Sequence, residues 1–306
     1  MSESLHKPLL ILTGPTGAGK TDLSYALGQK RAIQIINIDR GQWYTPLTIG
    51  TAKPDWRNSN YKHWLFDICD TPTLLSVVEY RKKVLDAIER IEEEGALPVL
   101  VGGSLFYIES LLYPPQPVLS TSTYKRHAGS WQELARIDPK RAAAIHPNDT
   151  YRIERALAIW YESGRLPSSL EPLFSPFRKT VVAYLSPERS LLYERINKRV
   201  QIMIDRGWLD EAYSLLNTPW EEFVQKYSII GYAALINYIR QGYRQNEKDG
   251  MLEHIGAQTR DYAKRQECFF KRLERKIQQE NSPMATTVRI APGNDNTTTL
   301  LSLCSL

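Results

Sequence analysis

Cysteine is scarce in this chain, and what little there is does not pair. The 306 residues contain Cys69, Cys268 and Cys304, odd in number and widely separated. With no Cys-x-x-Cys pair, neither a disulfide framework nor a zinc site is indicated. His63 has no second His or Cys at ligand spacing and reads as a packed or hydrogen-bonded histidine. No apolar run approaches the roughly 18 residues of a membrane span. The opening MSESLHKPLL runs straight into an apolar stretch and leaves no room for a secretory signal. The expected compartment is the cytoplasm. Neither sign of charge dominates: 39 Lys and Arg stand against 34 Asp and Glu, a formal +5 with a pI near 8.9. That mild excess tilts toward a polyanionic partner without requiring one.

What the chain does carry is a phosphate-binding loop. Gly14, Pro15, Thr16, Gly17, Ala18, Gly19, Lys20 and Thr21 follow the apolar run Leu9–Leu12 and precede a helix-like run, Asp22–Gln29. Strand, glycine-rich turn and helix is the context such a P-loop needs. The glycines let successive N–H groups turn inward at anionic oxygens, and the helix N-terminus adds partial positive charge. Lys20 supplies a mobile ammonium for terminal phosphates, and the Thr21 hydroxyl suits a Mg²⁺ shell. The loop implies a di- or triphosphate ligand but names no reaction.

Strand and helix signals alternate along the chain. Ile33–Ile38 is a second apolar run and ends at Asp39. Leu74–Glu94 has helical spacing, with Val78, Val84, Ala87, Ile88 and Ile91 in one stripe. Leu97–Val101 reads as a strand, and Gly102-Gly103-Ser104 opens another helix. The expected fold is α/β: a P-loop-containing parallel sheet with flanking helices, plus a small, mostly helical insertion. Ligands in such sheets sit at the carboxyl ends of the strands, where the P-loop, Asp39 and Ser104 all fall. Residues 1–113 form the first part of the core, 114–170 the insertion, 171–280 the second part of the core, and 281–306 a polar, flexible tail. No strong apolar surface helix stands out, so a monomer is expected.

Several motifs now fall in one order: the P-loop; Asp39-x-x-Gln-x-Tyr44; Ile49-Gly-Thr-Ala-Lys-Pro54; His63-x-Leu-x-Asp67; Leu100-Val-Gly-Gly-Ser104; Ile145-His-Pro-Asn-Asp149; and Thr259-Arg-x-Tyr-Ala-Lys-Arg-Gln266. From about Leu9 to about Lys276 the chain resembles the bacterial tRNA dimethylallyltransferase family. The resemblance implies transfer of a five-carbon group from dimethylallyl diphosphate to N6 of the adenosine 3′ of the anticodon, with Mg²⁺. The P-loop then serves a diphosphate leaving group rather than ATP. By the same resemblance Asp39 is the general base, while Lys20, Ser104 and Arg199 face the diphosphate. Arg195, one turn from Arg199, is its rival. The anticodon stem-loop would meet Asp39, Arg40, Gly41, Gln42, Lys53, Arg126, Arg152 and Arg155. The insertion would act as a clamp, and the basic residues from Arg260 to Lys276 would add grip.

The chain also departs from the pattern. Arg40 and Gly41 stand where the family usually has Ser and often Arg. The stretch Tyr113–Ser130 is shorter by about one helix than the family's insertion, and Ser228-Ile-Ile-Gly-Tyr-Ala233 lacks both basic residues of its motif. Alternatives therefore stay open at this point. They are an enzyme that prenylates free adenylate, an RNA-binding protein without catalysis, and a P-loop kinase of small metabolites.

Overall fold

The computed structural model describes residues 8–115, 127–291 and 296–304. Six strands form one parallel sheet in the order β3-β2-β4-β1-β5-β6. They are β1 (Leu9–Thr13), β2 (Ile33–Asn37), β3 (His63–Trp64), β4 (Leu97–Val101), β5 (Thr180–Leu185) and β6 (Ala285–Ile290). β1, β2, β4 and β5 are buried along their whole length, which explains their unbroken apolar runs. The pleat splits β1 between two cores: Leu9 and Ile11 face one, Leu10 and Leu12 the other.

The first core is covered by α2 (Val77–Glu93), α3 (Leu105–Leu112), α10 (Tyr232–Arg240) and the long α11 (Gln245–Glu280). α2 starts at Ser76 because a capping box closes there: Ser76 Oγ accepts from Glu79 N, and Glu79 Oε2 accepts from Ser76 N. Its stripe buries Val84, Ala87, Ile88 and Ile91 as expected, with Tyr80 in place of Val78, which is only half-buried. The second core lies under α1 (Lys20–Gly28) and α12 (Asn296–Leu303). α7 (Arg189–Asp205), α8 (Trp208–Ser214) and α9 (Pro219–Lys226) complete the core layer.

The insertion comprises α4 (Trp131–Ile137), α5 (Pro139–Ala143) and α6 (Thr150–Ser163). It has an apolar cluster of its own, around Leu134, Ile145, Ile153 and Leu157. Trp131 Nε1 donates to the carbonyls of Ala142 and Ile145 and locks α4 over α5.

The expectation of a flexible tail over 281–306 is overturned for its described residues, 281–291 and 296–304. Ala285–Ile290 pairs with the whole of β5, and α12 buries Leu300 and Cys304. The polar composition misleads because β6 is an edge strand. Its outward Thr residues tolerate solvent, and Arg289 is held by Glu267 and Glu274 of α11 at 3.0 and 2.8 Å. β3, only two residues long, and α8 and α9 were also not anticipated.

Candidate active site

β1, β4 and β2 lie side by side, so their carboxyl ends bring the P-loop, Gly102–Ser104 and Asp39 to one edge. A cavity of about 970 Å³ opens there, lined by Thr16, Asp39, Gly103, Ser104 and Arg199 at its closed end. Gly17 and Gly19 have φ of +82° and +90°, the left-handed backbone that lets the loop curl.

Gln266 of α11 ties the closed end together. It is 5% exposed; its Oε1 accepts from Thr16 N at 3.0 Å and its Nε2 donates to Gly103 O at 3.0 Å. A Cβ on Gly103 would sit 2.2 Å from that Nε2, so only glycine allows the approach. Gln266 belongs to the last motif quoted above, yet spacing alone gave no sign that it reaches the P-loop.

Lys20 donates to Gly14 O and Pro15 O, at 3.0 and 2.9 Å. Burial, reinforced by the nearby Arg199, lowers its pKa to about 8, while Asp39 opposes the shift. Arg199 donates to Thr16 Oγ1 at 3.3 Å, and burial lowers its pKa as well. Arg195 is exposed, which leaves Arg199 as the cation of α7 at this end. Asp39 Oδ1 accepts from Gly41 N at 3.1 Å and caps the 3-10 turn Arg40–Trp43. No donor among the described residues reaches its other oxygen. Burial raises the Asp39 pKa, against the pull of Lys20, Gly41 N, Arg199 and Arg40.

The Ser104 hydroxyl does not cap α3; it accepts from Arg40 N at 3.1 Å and so links the ends of β2 and β4. Tyr262 of α11 stands beside it and lines the cavity.

Further out, Arg40 and Gly41 line the cavity, as do Arg152 and Arg155 of α6. Arg141 of α5 joins them and was missed from the sequence; its Nε is buried with no partner among the described residues. Arg126 lies outside the described residues. Two expected RNA contacts are corrected. The Lys53 side chain is 1% exposed, ion-paired with Asp67, and donates to Tyr44 O. It closes its own loop and has no surface to offer a phosphate. Gln42 does not line the cavity; its amide donates to Thr51 O and Ala52 O. That same loop is fixed by Glu211 of α8, which accepts from the N–H groups of Thr48, Ile49 and Gly50.

The basic face of α11 is also mostly spoken for. Arg260 pairs with Glu253, Lys264 with Asp261, Lys271 with Glu267, and Arg272 and Lys276 with Glu109. Arg265, over the Tyr262 ring, is the residue of that face that lines the cavity.

Among the described residues no group of three or more His, Cys, Asp or Glu gathers as a metal cage. Thr21, on the first turn of α1, offers a single hydroxyl beside the loop. That donor set fits Mg²⁺, which keeps waters and takes phosphate oxygens as ligands.

The "IPP transferase" family profile matches residues 42–273. The chain is 33% identical over 285 residues to a tRNA dimethylallyltransferase of Alkaliphilus oremlandii, covering 88% of this chain and 90% of that one. It is 35% identical over 277 residues to the tRNA dimethylallyltransferase of Pseudothermotoga lettingae, covering 87% of each. A solved tRNA isopentenylpyrophosphate transferase from Staphylococcus epidermidis superposes with a TM-score of 0.60 at 27% identity, over 98% of both chains. A eukaryotic dimethylallyltransferase acting on tRNA shares the fold, with a TM-score of 0.77 at 23% identity, over 96% of this chain and 78% of that one. On these matches and the site that accompanies them, the chain belongs to the IPP transferase family.

Proposed function

We propose that this protein transfers the dimethylallyl group of dimethylallyl diphosphate to N6 of the adenosine 3′-adjacent to the anticodon in tRNA, releasing diphosphate. The observation that carries the reading is the closed end of the cavity, where a half-buried Asp39, one carboxylate oxygen without a donor among the described residues, lies among Lys20, Arg199 and the P-loop. The relatives' names agree with it.

The chemistry follows from what the exocyclic amine lacks. Its lone pair is delocalised into the purine, so it attacks only as its proton is taken. Asp39 accepts that proton as the N6–C bond forms. The allylic C–O bond breaks, and its electron pair leaves with the diphosphate. Lys20, the loop amides and Arg199 meet the charge that develops on the leaving oxygen. In this structure Lys20 is turned onto the loop carbonyls of Gly14 and Pro15, so a bound diphosphate competes with those carbonyls for its ammonium. Ser104 holds Arg40 N, and Gln266 holds Thr16 N, so base and loop keep their spacing. Mg²⁺, when bound through Thr21, supplies further charge neutralisation to the diphosphate.

The adenosine must leave its stack to reach Asp39, which costs a few kcal/mol and least in a single-stranded loop. Arg141, Arg152 and Arg155 at the mouth suit the phosphates around such a loop. Among the described residues no helix is long and apolar enough to cross a membrane. The reading places the enzyme with tRNA in the cytoplasm, as a monomer.

The test is transfer from labelled dimethylallyl diphosphate with Mg²⁺, offering tRNA and AMP in parallel, with Asp39→Asn as control. Label in tRNA that disappears in the variant is expected. Label in AMP alone would move the protein to free nucleotides, and binding of tRNA without label in either would leave a binding protein.

A further inference from the structure

Large apolar and aromatic side chains are exposed at scattered points, but few of them lie at the cavity. Phe106 of α3 is 56% exposed, Tyr151 of α6 is 53% exposed, and both line the mouth. They come from different parts of the chain: Phe106 lies two residues beyond Ser104, and Tyr151 precedes Arg152 on the insertion.

Phe106 is the outermost member of an aromatic array that begins in the core. Trp43 stacks on Tyr80 with ring centroids 4.5 Å apart, and Tyr107 meets both edge-on at 4.8 and 4.7 Å. Phe106 then packs edge-on against Tyr107 at 5.5 Å. Its ring is therefore held from behind while its outer surface faces solvent. Both exposed rings line the same cavity as Arg141, Arg152 and Arg155.

Exposed rings beside a set of arginines have one well-matched occupant, single-stranded nucleic acid. Bases stack on aromatic faces while guanidinium groups follow the phosphates. We propose that Phe106 and Tyr151, at the cavity mouth, stack the bases that flank the extruded adenosine. This rests on the tRNA reading above and adds its loop-recognition step. Taking the target base out of the loop removes the stacking partner of both neighbours. Rings fixed at the mouth replace that partner, so extrusion is favoured without any contact to the adenosine itself.

The experiment uses the full chain and an anticodon stem-loop RNA carrying 2-aminopurine next to the target adenosine, on either side in turn. Binding should change the 2-aminopurine fluorescence. Phe106→Ala and Tyr151→Ala should each abolish the change at one flanking position and raise the stem-loop KM by about tenfold, the scale of one lost base–aromatic stack. The KM for dimethylallyl diphosphate should stay at the wild-type value. Phe106→Tyr and Tyr151→Phe should keep both signals, which separates stacking from folding. Tyr213→Ala, at an exposed tyrosine of α8 away from the cavity, should change nothing. Unaltered fluorescence and stem-loop KM in both alanine variants, with wild-type transfer intact, would overturn the stacking proposal and leave the function standing. A wild-type protein that binds the stem-loop but transfers nothing would overturn the function, and the fluorescence of the variants would still decide the stacking. Failure to bind the stem-loop at all would end both.

Discussion

At the closed end of the cavity the protein's polar groups are largely committed to each other. Gln266 bridges Thr16 and Gly103, Ser104 holds Arg40 N, Arg199 reaches Thr16, and Lys20 rests on the loop carbonyls. The mouth is more open: Arg152 and Arg155 are exposed, Arg152 lying 3.4 Å from Asp149, the buried Arg141 Nε has no partner among the described residues, and two large rings are more than half exposed. The closed end is organised before any ligand arrives, which is what stabilising a developing charge demands. The mouth presents arginines and ring surfaces to solvent, which suits a large, pliable ligand that supplies its own phosphates and bases.

Several variants would test that division. Asp39→Asn should lower kcat by about 10²- to 10⁴-fold, the usual contribution of a general base. Its stability should move the other way. Burial raises the folded pKa of Asp39 above its unfolded value near 3.8, so the native state holds the proton more tightly. Stability therefore falls as pH rises from the unfolded to the folded pKa, and stays lower above it. The neutral amide escapes that cost, and thermal melting at neutral pH should show Asp39→Asn at or above the wild-type Tm. A clear loss of Tm would mean the carboxylate is structural.

Lys20→Met should cost about 10²- to 10³-fold in kcat, as for the loss of one preorganised donor at a leaving group. It should spare stem-loop affinity measured without dimethylallyl diphosphate. A matching loss of RNA affinity would erase the distinction between the two ends.

Arg152→Ala and Arg155→Ala should do the opposite. Transfer at saturating tRNA should hold, while affinity falls a few-fold. The slope of log affinity against log salt should flatten by about 0.7–0.9 per lost phosphate contact. For the same reason a relative with a longer stretch in place of 113–130 should give a steeper slope than this chain, measured side by side.

The smallest effect belongs to Arg40, which stands between the two ends. Lys20 and Arg199 face Asp39 from the P-loop side and α7, with the phenols of Tyr80 and Tyr262 also near it. Arg40 is a third cation holding the Asp39 pKa down against burial. Arg40→Ser should shift the acidic limb of kcat/KM to higher pH, with the plateau kept. An unmoved limb would put the guanidinium too far away to matter.

The closed end was largely readable in the sequence because it is written in short, local motifs. β1, the P-loop, Asp39 and Gly102–Ser104 each declare themselves within a few residues, and a parallel sheet brings them together. The mouth and its supports were less readable because they depend on distant partners. Lys53 reads as a free cation until Asp67 is seen beside it, and Arg272 and Lys276 until Glu109 of α3 is placed. Arg141 and the polar strand β6 carry no local signal of their roles. Thr259–Gln266 fell in a recognisable segment, but its reach back to Thr16 is a property of the fold.

That reach also bears on the order of events during synthesis. Gln266 and Thr16 are 250 positions apart, so the loop is translated long before the amide that braces it. Domains begin folding from the N-terminus as they emerge from the ribosome. The nascent chain can form its glycine-rich turn early, yet the turn stays unbraced until α11 has emerged and docked. The reactive corner is thus braced only once one of the last helices is in place.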